Sequence, residues 1–219
     1  MEVTYALLTQ WFSSPRMERY SYAKDPGALY IWNTRLAKAF LEDVDHLEVL
    51  LRNFISDRLS ADAGTPWWFE DEQRYHFNKP FQISVAKAKK RLSGQGNAVT
   101  PDGVIAEMSL DNWRFLLVRR HESTIWRALI SPSNGGMANY PGRKRAPFES
   151  DVALILELRN RASHQEPFVL EASETVEEIG RLNRYSEALH RVTSRIDPKA
   201  AAWIRSSSRV QEVRATRPS

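Results

Sequence analysis

Cysteine is absent from the 219 residues. That excludes a disulfide scaffold, a thiolate metal site and a cysteine nucleophile, and it makes a reducing cytoplasm the simplest home. Also absent is any run of about 18 apolar residues, so neither a transmembrane helix nor a membrane partner is expected. The opening Met1-Glu2-Val3-Thr4 lacks the basic start and apolar stretch of a signal peptide. No segment alternates convincingly between apolar and polar residues, so strands are not expected. A Gly-rich phosphate loop, a G-x-S-x-G elbow and a dinucleotide fingerprint are all missing. No His, Asp and Glu grouping has metal-ligand spacing, so no cofactor and no metal are expected.

What is present suits a helical protein. Apolar residues make up 42% and charged residues 26%, enough for one real core. Seven Trp, seven Tyr and nine Phe need a core or a partner surface to cover them. The net charge of +4 and pI of about 9.4 permit a nucleic-acid partner. The cations gather in two places. One is the run Arg143-Lys144-Arg145. The other is the C-terminal set Arg205, Arg209, Arg214 and Arg217, opposed there by Glu212 alone.

Periodicity predicts the helices. Asp25 caps and Pro26 opens a long one, whose stripe Leu36, Phe40, Val44, Leu47, Leu51 and Phe54 carries it from about Leu29 to Leu59. Trp67-Trp68-Phe69 reads as a core anchor. A short helix is expected over Phe81 to Leu92, and another from Ser109 to about Ile130 with a possible break near His121. Residues 131–147, rich in Gly, Pro and Asn, read as a long loop ending in the basic run. A helix from about Phe148 to His164 stops before Pro167. Thr175 and Glu178 form a capping-box pattern for the helix that follows, and Asp197-Pro198 starts a last short one. The expectation is an all-α bundle of about six or seven helices with a long basic loop. Residues 1–200 form one domain and residues 201–219 a basic tail.

The helix ending at His164 carries the chemistry. At about 100° per residue, Arg159 falls in the stripe of Phe148, Val152, Ile155 and Ala162. A charge there must be paired, face a cleft or meet another subunit. Asn160 and His164 are four apart and share the adjoining face. Metal-independent RNA cleavage needs a base for the 2′-hydroxyl, an acid for the leaving 5′-oxygen and a cation for the phosphoryl charge. Histidine can serve as either proton-transfer group near neutral pH, and arginine offers a fork of donors matched to phosphate. Asparagine can orient the imidazole or bind a phosphate oxygen. Of the other histidines, His46 reads as a surface residue, and His121 beside Glu122 is half of an acid–base pair that nothing completes.

The stretch Leu158 to Pro167 resembles the R-N-x-x-x-H signature of HEPN ribonucleases, in the form seen in Abi-like (abortive infection) proteins. Leu47-Glu48-Val49-Leu50-Leu51-Arg52-Asn53-Phe54-Ile55 is similar to the L-E-x-x-L-R-N-x-I segment near the start of that family. Pro101-Asp102-Gly103 leading into Met108-Ser109-Leu110-Asp111-Asn112-Trp113 resembles a third family segment. Together they span roughly Tyr30 to Val192. The resemblance implies a HEPN-like helical fold and a homodimer that brings two motifs together. It implies an endoribonuclease leaving 2′,3′-cyclic phosphate and 5′-hydroxyl ends, acting as a toxin or phage-defence effector with a possible antitoxin partner. Arg159, Asn160 and His164 carry over as catalytic residues. Glu48, Arg52 and Asn53 are expected to bind substrate or to form pairs beneath the site. The basic run Arg143, Lys144 and Arg145 is expected to hold the RNA backbone. Family toxins paired with nucleotidyltransferase antitoxins carry a Tyr two residues after the His; here that residue is Glu166, so control by modification of that Tyr is not expected. The other reading is a non-catalytic HEPN module that binds RNA or a partner protein.

Overall fold

The computed structural model describes residues 3–169 and 175–218. Every regular element among them is helical. In chain order the α-helices are α1 (Tyr5–Phe12), α2 (Ser14–Met17), α3 (Pro26–Ala63), α4 (Glu72–Tyr75), α5 (Lys79–Gly94) and α6 (Pro101–Ala106). They continue with α7 (Leu110–Phe115), α8 (Arg127–Ile130), α9 (Arg145–Ser163), α10 (Val176–Ile196), α11 (Pro198–Ser207) and α12 (Val210–Ala215). None is long and apolar enough to cross a membrane.

The long helix α3 is the axis. Asp25 accepts the Ala28 backbone N–H at 2.9 Å, and Pro26 sits where no intrahelical donor is needed. Gly64 ends the helix in the left-handed conformation, which a residue without a Cβ adopts cheaply. Leu36, Phe40, Val44, Leu47 and Leu51 are all fully buried, and α9 and α10 pack on this stripe. The Trp67-Trp68-Phe69 anchor behaves as the sequence suggests. Trp68 and Phe69 are buried, and Trp68 packs edge-on against Tyr75 and close to Phe81.

Three regions differ from the sequence reading. The helix expected from Ser109 to Ile130, with its break near His121, already ends at Phe115. A 3-10 turn at Arg119–His121 and a π-helical turn at Glu122–Trp126 follow before α8. His121, Ile125, Trp126 and Leu129 all reach the interior along this irregularly wound stretch. The loop expected over residues 131–147 is shorter and pinned. Met137 is buried, Asn134 donates to the Ala128 carbonyl at 3.2 Å, and α9 already begins at Arg145.

The third difference is the C-terminal region. Residues 201–218, expected as a basic tail, are built into the bundle. The Trp32 indole N–H donates to the Val213 carbonyl at 2.8 Å, and Val210 is buried. Arg217 pairs with Glu178 at 2.9 Å, both almost fully buried. Arg209 pairs with Glu42, and Arg214 donates to Asn183. These arginines read as solvated in sequence because their acceptors lie more than thirty positions away.

Candidate active site

The two ends of α9 are held differently. At its start, Arg145 is 8% exposed; it pairs with Glu122 at 3.3 Å and donates to the Leu117 carbonyl at 2.9 Å. Glu149, one turn on, takes Arg114 at 2.7 Å. Asp151 is clamped by Arg191 and Arg195 of α10, each at 2.7 Å. Phe148, Val152, Ile155 and Leu158 bury the face between. A helix fastened this firmly gives its far end a defined position.

That far end carries Arg159, Asn160 and His164. Arg159 is half-buried, and its guanidinium donates to the Asn160 side-chain oxygen at 3.3 Å. The neighbouring helix supplies the opposite charge. Glu48 of α3 is half-buried, and burial pushes its carboxyl above the usual carboxylate range. The Arg159 guanidinium pulls it back down, as do, more weakly, the Leu110 backbone and Arg52. Glu48 thus gives the half-buried Arg159 an opposite charge within electrostatic reach. Arg52 donates to its neighbour Asn53 at 3.4 Å, and Asn53 is exposed.

The helices that carry the three segments pack together, α3 against both α7 and α9, and Glu48 lies within their electrostatic reach. The R-N-x-x-x-H stretch reaches it through Arg159, the L-E-x-x-L-R-N-x-I segment contains it, and the third segment arrives through Leu110 at the start of α7.

His164 caps the end of α9. Its ring is exposed and makes no hydrogen bond among the described residues. Asn160 is committed to Arg159, so it does not orient the imidazole here; only the backbones of Asn160 and His164 are joined, at 2.9 Å. The helix closes before Pro167 is reached. The Gln165 N–H returns to the Ala162 carbonyl and the Glu166 N–H to the Arg161 carbonyl, with Gln165 in the left-handed region at φ 53°. A side chain there is strained, because Gly is the residue that suits that conformation. Outside contacts hold the turn. Arg16 donates to the Gln165 side chain at 3.2 Å, Arg161 to the Pro167 carbonyl at 3.0 Å, and the Asn33 side chain accepts from Phe168 N–H at 2.6 Å. The exposed imidazole thus stands on a fastened corner.

The basic run does not join this end. It lies at the start of α9, where only Lys144 is exposed and unengaged. Arg145 is used as described. The Arg143 guanidinium donates to the Ile130 carbonyl at 3.3 Å, and its own carbonyl accepts from the Trp126 indole at 3.0 Å. Of the three cations, Arg145 is buried, Arg143 is half-buried with one guanidinium donor on the Ile130 carbonyl, and Lys144 is exposed.

Sequence reasoning assigned Glu48 no definite partner and overlooked Arg16. A carboxylate flanking the buried stripe of α3 was the available clue to Glu48. For Arg16 there was none. His46 is exposed, as the sequence suggested, and lies edge-on to Trp203 with centroids 4.9 Å apart. His121 is buried against Phe115 instead of serving any acid–base pair. Burial pushes its imidazole down to about 4, and Nε2 finds no partner.

Searches of protein-family models, curated proteins and solved structures gave no match to this chain.

Proposed function

We propose that the protein is a metal-independent endoribonuclease of the HEPN type, with an Abi-like bundle. The carrying observation is the convergence at one open helix end of Arg159, balanced by Glu48, with Asn160 beside it and an unengaged His164 at the corner. In this reading the Arg159 fork takes two phosphate oxygens of the scissile linkage, exchanging part of its interaction with Glu48 for the substrate's charge. A base removes the 2′-hydroxyl proton and the 2′-oxygen attacks phosphorus. The bond to the 5′-oxygen breaks as an acid protonates it, leaving a 2′,3′-cyclic phosphate and a 5′-hydroxyl.

One chain supplies one His164, and the two proton transfers need two groups. The reading therefore includes a homodimer in which His164 of a second copy completes the pair. It also places the protein in the cytoplasm as a toxin or phage-defence effector, restrained by an antitoxin where one accompanies it.

One observation favours the second reading, a non-catalytic module. Arg159 already has Glu48 and Asn160 as neighbours, so the motif can serve as a pin between α3 and α9.

The deciding assay is RNA cleavage by the wild-type protein in excess EDTA, with end-group analysis. The nuclease reading expects undiminished cleavage, cyclic-phosphate and 5′-hydroxyl ends, and loss of activity in His164→Ala. Activity that returns only with Mg²⁺, or products with 5′-phosphates, overturns the mechanism. RNA bound but never cut supports the module.

A further inference from the structure

Three well-exposed aromatic side chains, Tyr5, Trp11 and Phe12, belong to α1. Such rings are normally buried or waiting for a partner. They are also ordered. The Phe12 ring lies 5.2 Å from Tyr30 with a tilt of 31°, Trp11 meets Phe12 edge-on at 6.4 Å, and Tyr30 rests against buried Tyr20 at 5.5 Å. The row is therefore rooted in the core and open at Trp11 and Phe12, each at least 40% exposed.

Cations border it. Arg16 and Arg19 act electrostatically on Tyr20, Lys24 follows, exposed, and of the two carboxylates in the stretch, Glu18 and Asp25, the second caps α3. Arg16 also joins this surface to the candidate active site, since it donates to Gln165, the residue after His164. Trp11 and Arg16 are five positions apart, so their Cα atoms lie within about 18 Å of each other.

We propose that this row is the landing platform for single-stranded RNA, which it leads toward the Arg159–His164 end. The proposal rests on the nuclease reading and names its substrate class. Unpaired bases expose π-faces that stack on aromatic rings whatever their sequence, while arginine and lysine take the phosphates. Paired bases are already stacked on each other and gain nothing from the row. Exposed rings beside arginines also suit a protein contact, and the cations and the link to Gln165 are what favour RNA.

The test uses the full chain carrying His164→Ala, so that RNA survives, with a labelled single-stranded oligonucleotide and a matched duplex read by fluorescence anisotropy. Adding Trp11→Ala or Phe12→Ala should weaken single-strand binding roughly tenfold each and leave duplex binding unchanged. Trp11→Tyr should largely restore it, which separates stacking from local misfolding. In the active protein the same Ala variants should raise KM for single-stranded RNA with kcat unchanged. Wild-type cleavage with unaltered KM in both variants overturns the platform and leaves the nuclease standing. A wild type that neither binds nor cuts RNA removes the nuclease reading and the platform with it. A shift from dimer to monomer in light scattering, with RNA affinity unchanged, overturns the proposal and makes the row a contact between copies of this chain.

Discussion

Arg145 and Arg159 stand on one helix and have opposite employments. Arg145 is enclosed and spends its donors on Glu122, the Leu117 carbonyl and, more distantly, Glu149. Arg159 is half-open, shares one long hydrogen bond with Asn160 and feels Glu48 only through space. A buried guanidinium bonded on two sides holds a fold together. One with donors to spare can receive a phosphate. The difference shows that a cluster of positive charge in sequence says little until the acceptors of each cation are known.

The sharpest separation should come in activity. If the nuclease reading holds, His164→Ala removes a proton transfer and should lower the cleavage rate by roughly a hundredfold to ten-thousandfold. Arg159→Ala removes charge stabilisation worth about 3 kcal/mol, roughly a hundredfold in rate. Arg145→Ala should keep near wild-type turnover per folded molecule. Single-turnover cleavage, normalised to folded protein by circular dichroism, measures all three. An Arg145→Ala enzyme as dead as Arg159→Ala would erase the distinction between the two ends.

In stability the ranking should reverse. Removing Arg145 leaves the buried Leu117 carbonyl without its donor, a loss of about 2 kcal/mol read from the urea midpoint, whereas exposed Glu122 is rehydrated. Arg159→Ala should cost under about 1 kcal/mol, because Glu48 is only half-buried and water can reach it. Equal losses would mean that Arg159 is a pin between α3 and α9.

A smaller effect concerns pH. Burial holds His121 neutral down to about 4, against the usual 6.5. Between those values the unfolded chain binds the proton and the folded chain does not, so stability falls as pH drops from 6.5 toward 4 and is fully present above that window. At about 1.4 kcal/mol per pKa unit, the loss is at most about 3 kcal/mol. His121→Leu should flatten this slope in denaturation series across the window. A slope that survives the substitution would assign the titration to another group.

Much of this was legible in advance where local rules decide. The stripe of α3 and the caps Asp25 and Thr175 gave helices whose ends match the structure closely. A break near His121 was legible; its reach from Phe115 to Arg127 and its 3-10 and π-helical winding were not, because packing chooses between such closely related windings. The arginines of the last helices misled for a related reason, since their acceptors Glu42, Asn183 and Glu178 come from other helices. At the candidate site, the residue types Arg159, Asn160 and His164 could be picked out by spacing. That Asn160 serves Arg159 and not His164 depends on rotamers that no spacing encodes.

The closure of α12 on the bundle has a consequence for the order in which the protein is made. Trp32 and Glu178 leave the ribosome well before residues 210–217, the stretch that supplies the carbonyl for the Trp32 indole and the guanidinium for Glu178. Until that stretch emerges, Glu178 lacks the Arg217 guanidinium that it meets in the finished bundle, so α3 and α10 settle at a higher cost. The longest helix is thus an early product that waits for a late one, and the loop to be closed spans most of the chain. A ribosome-stalled chain ending before residue 210 should remain open to protease along α3 and α10, whereas extension through residue 218 should protect them. Protection already complete at the shorter length would show that the bundle closes without its final clasp.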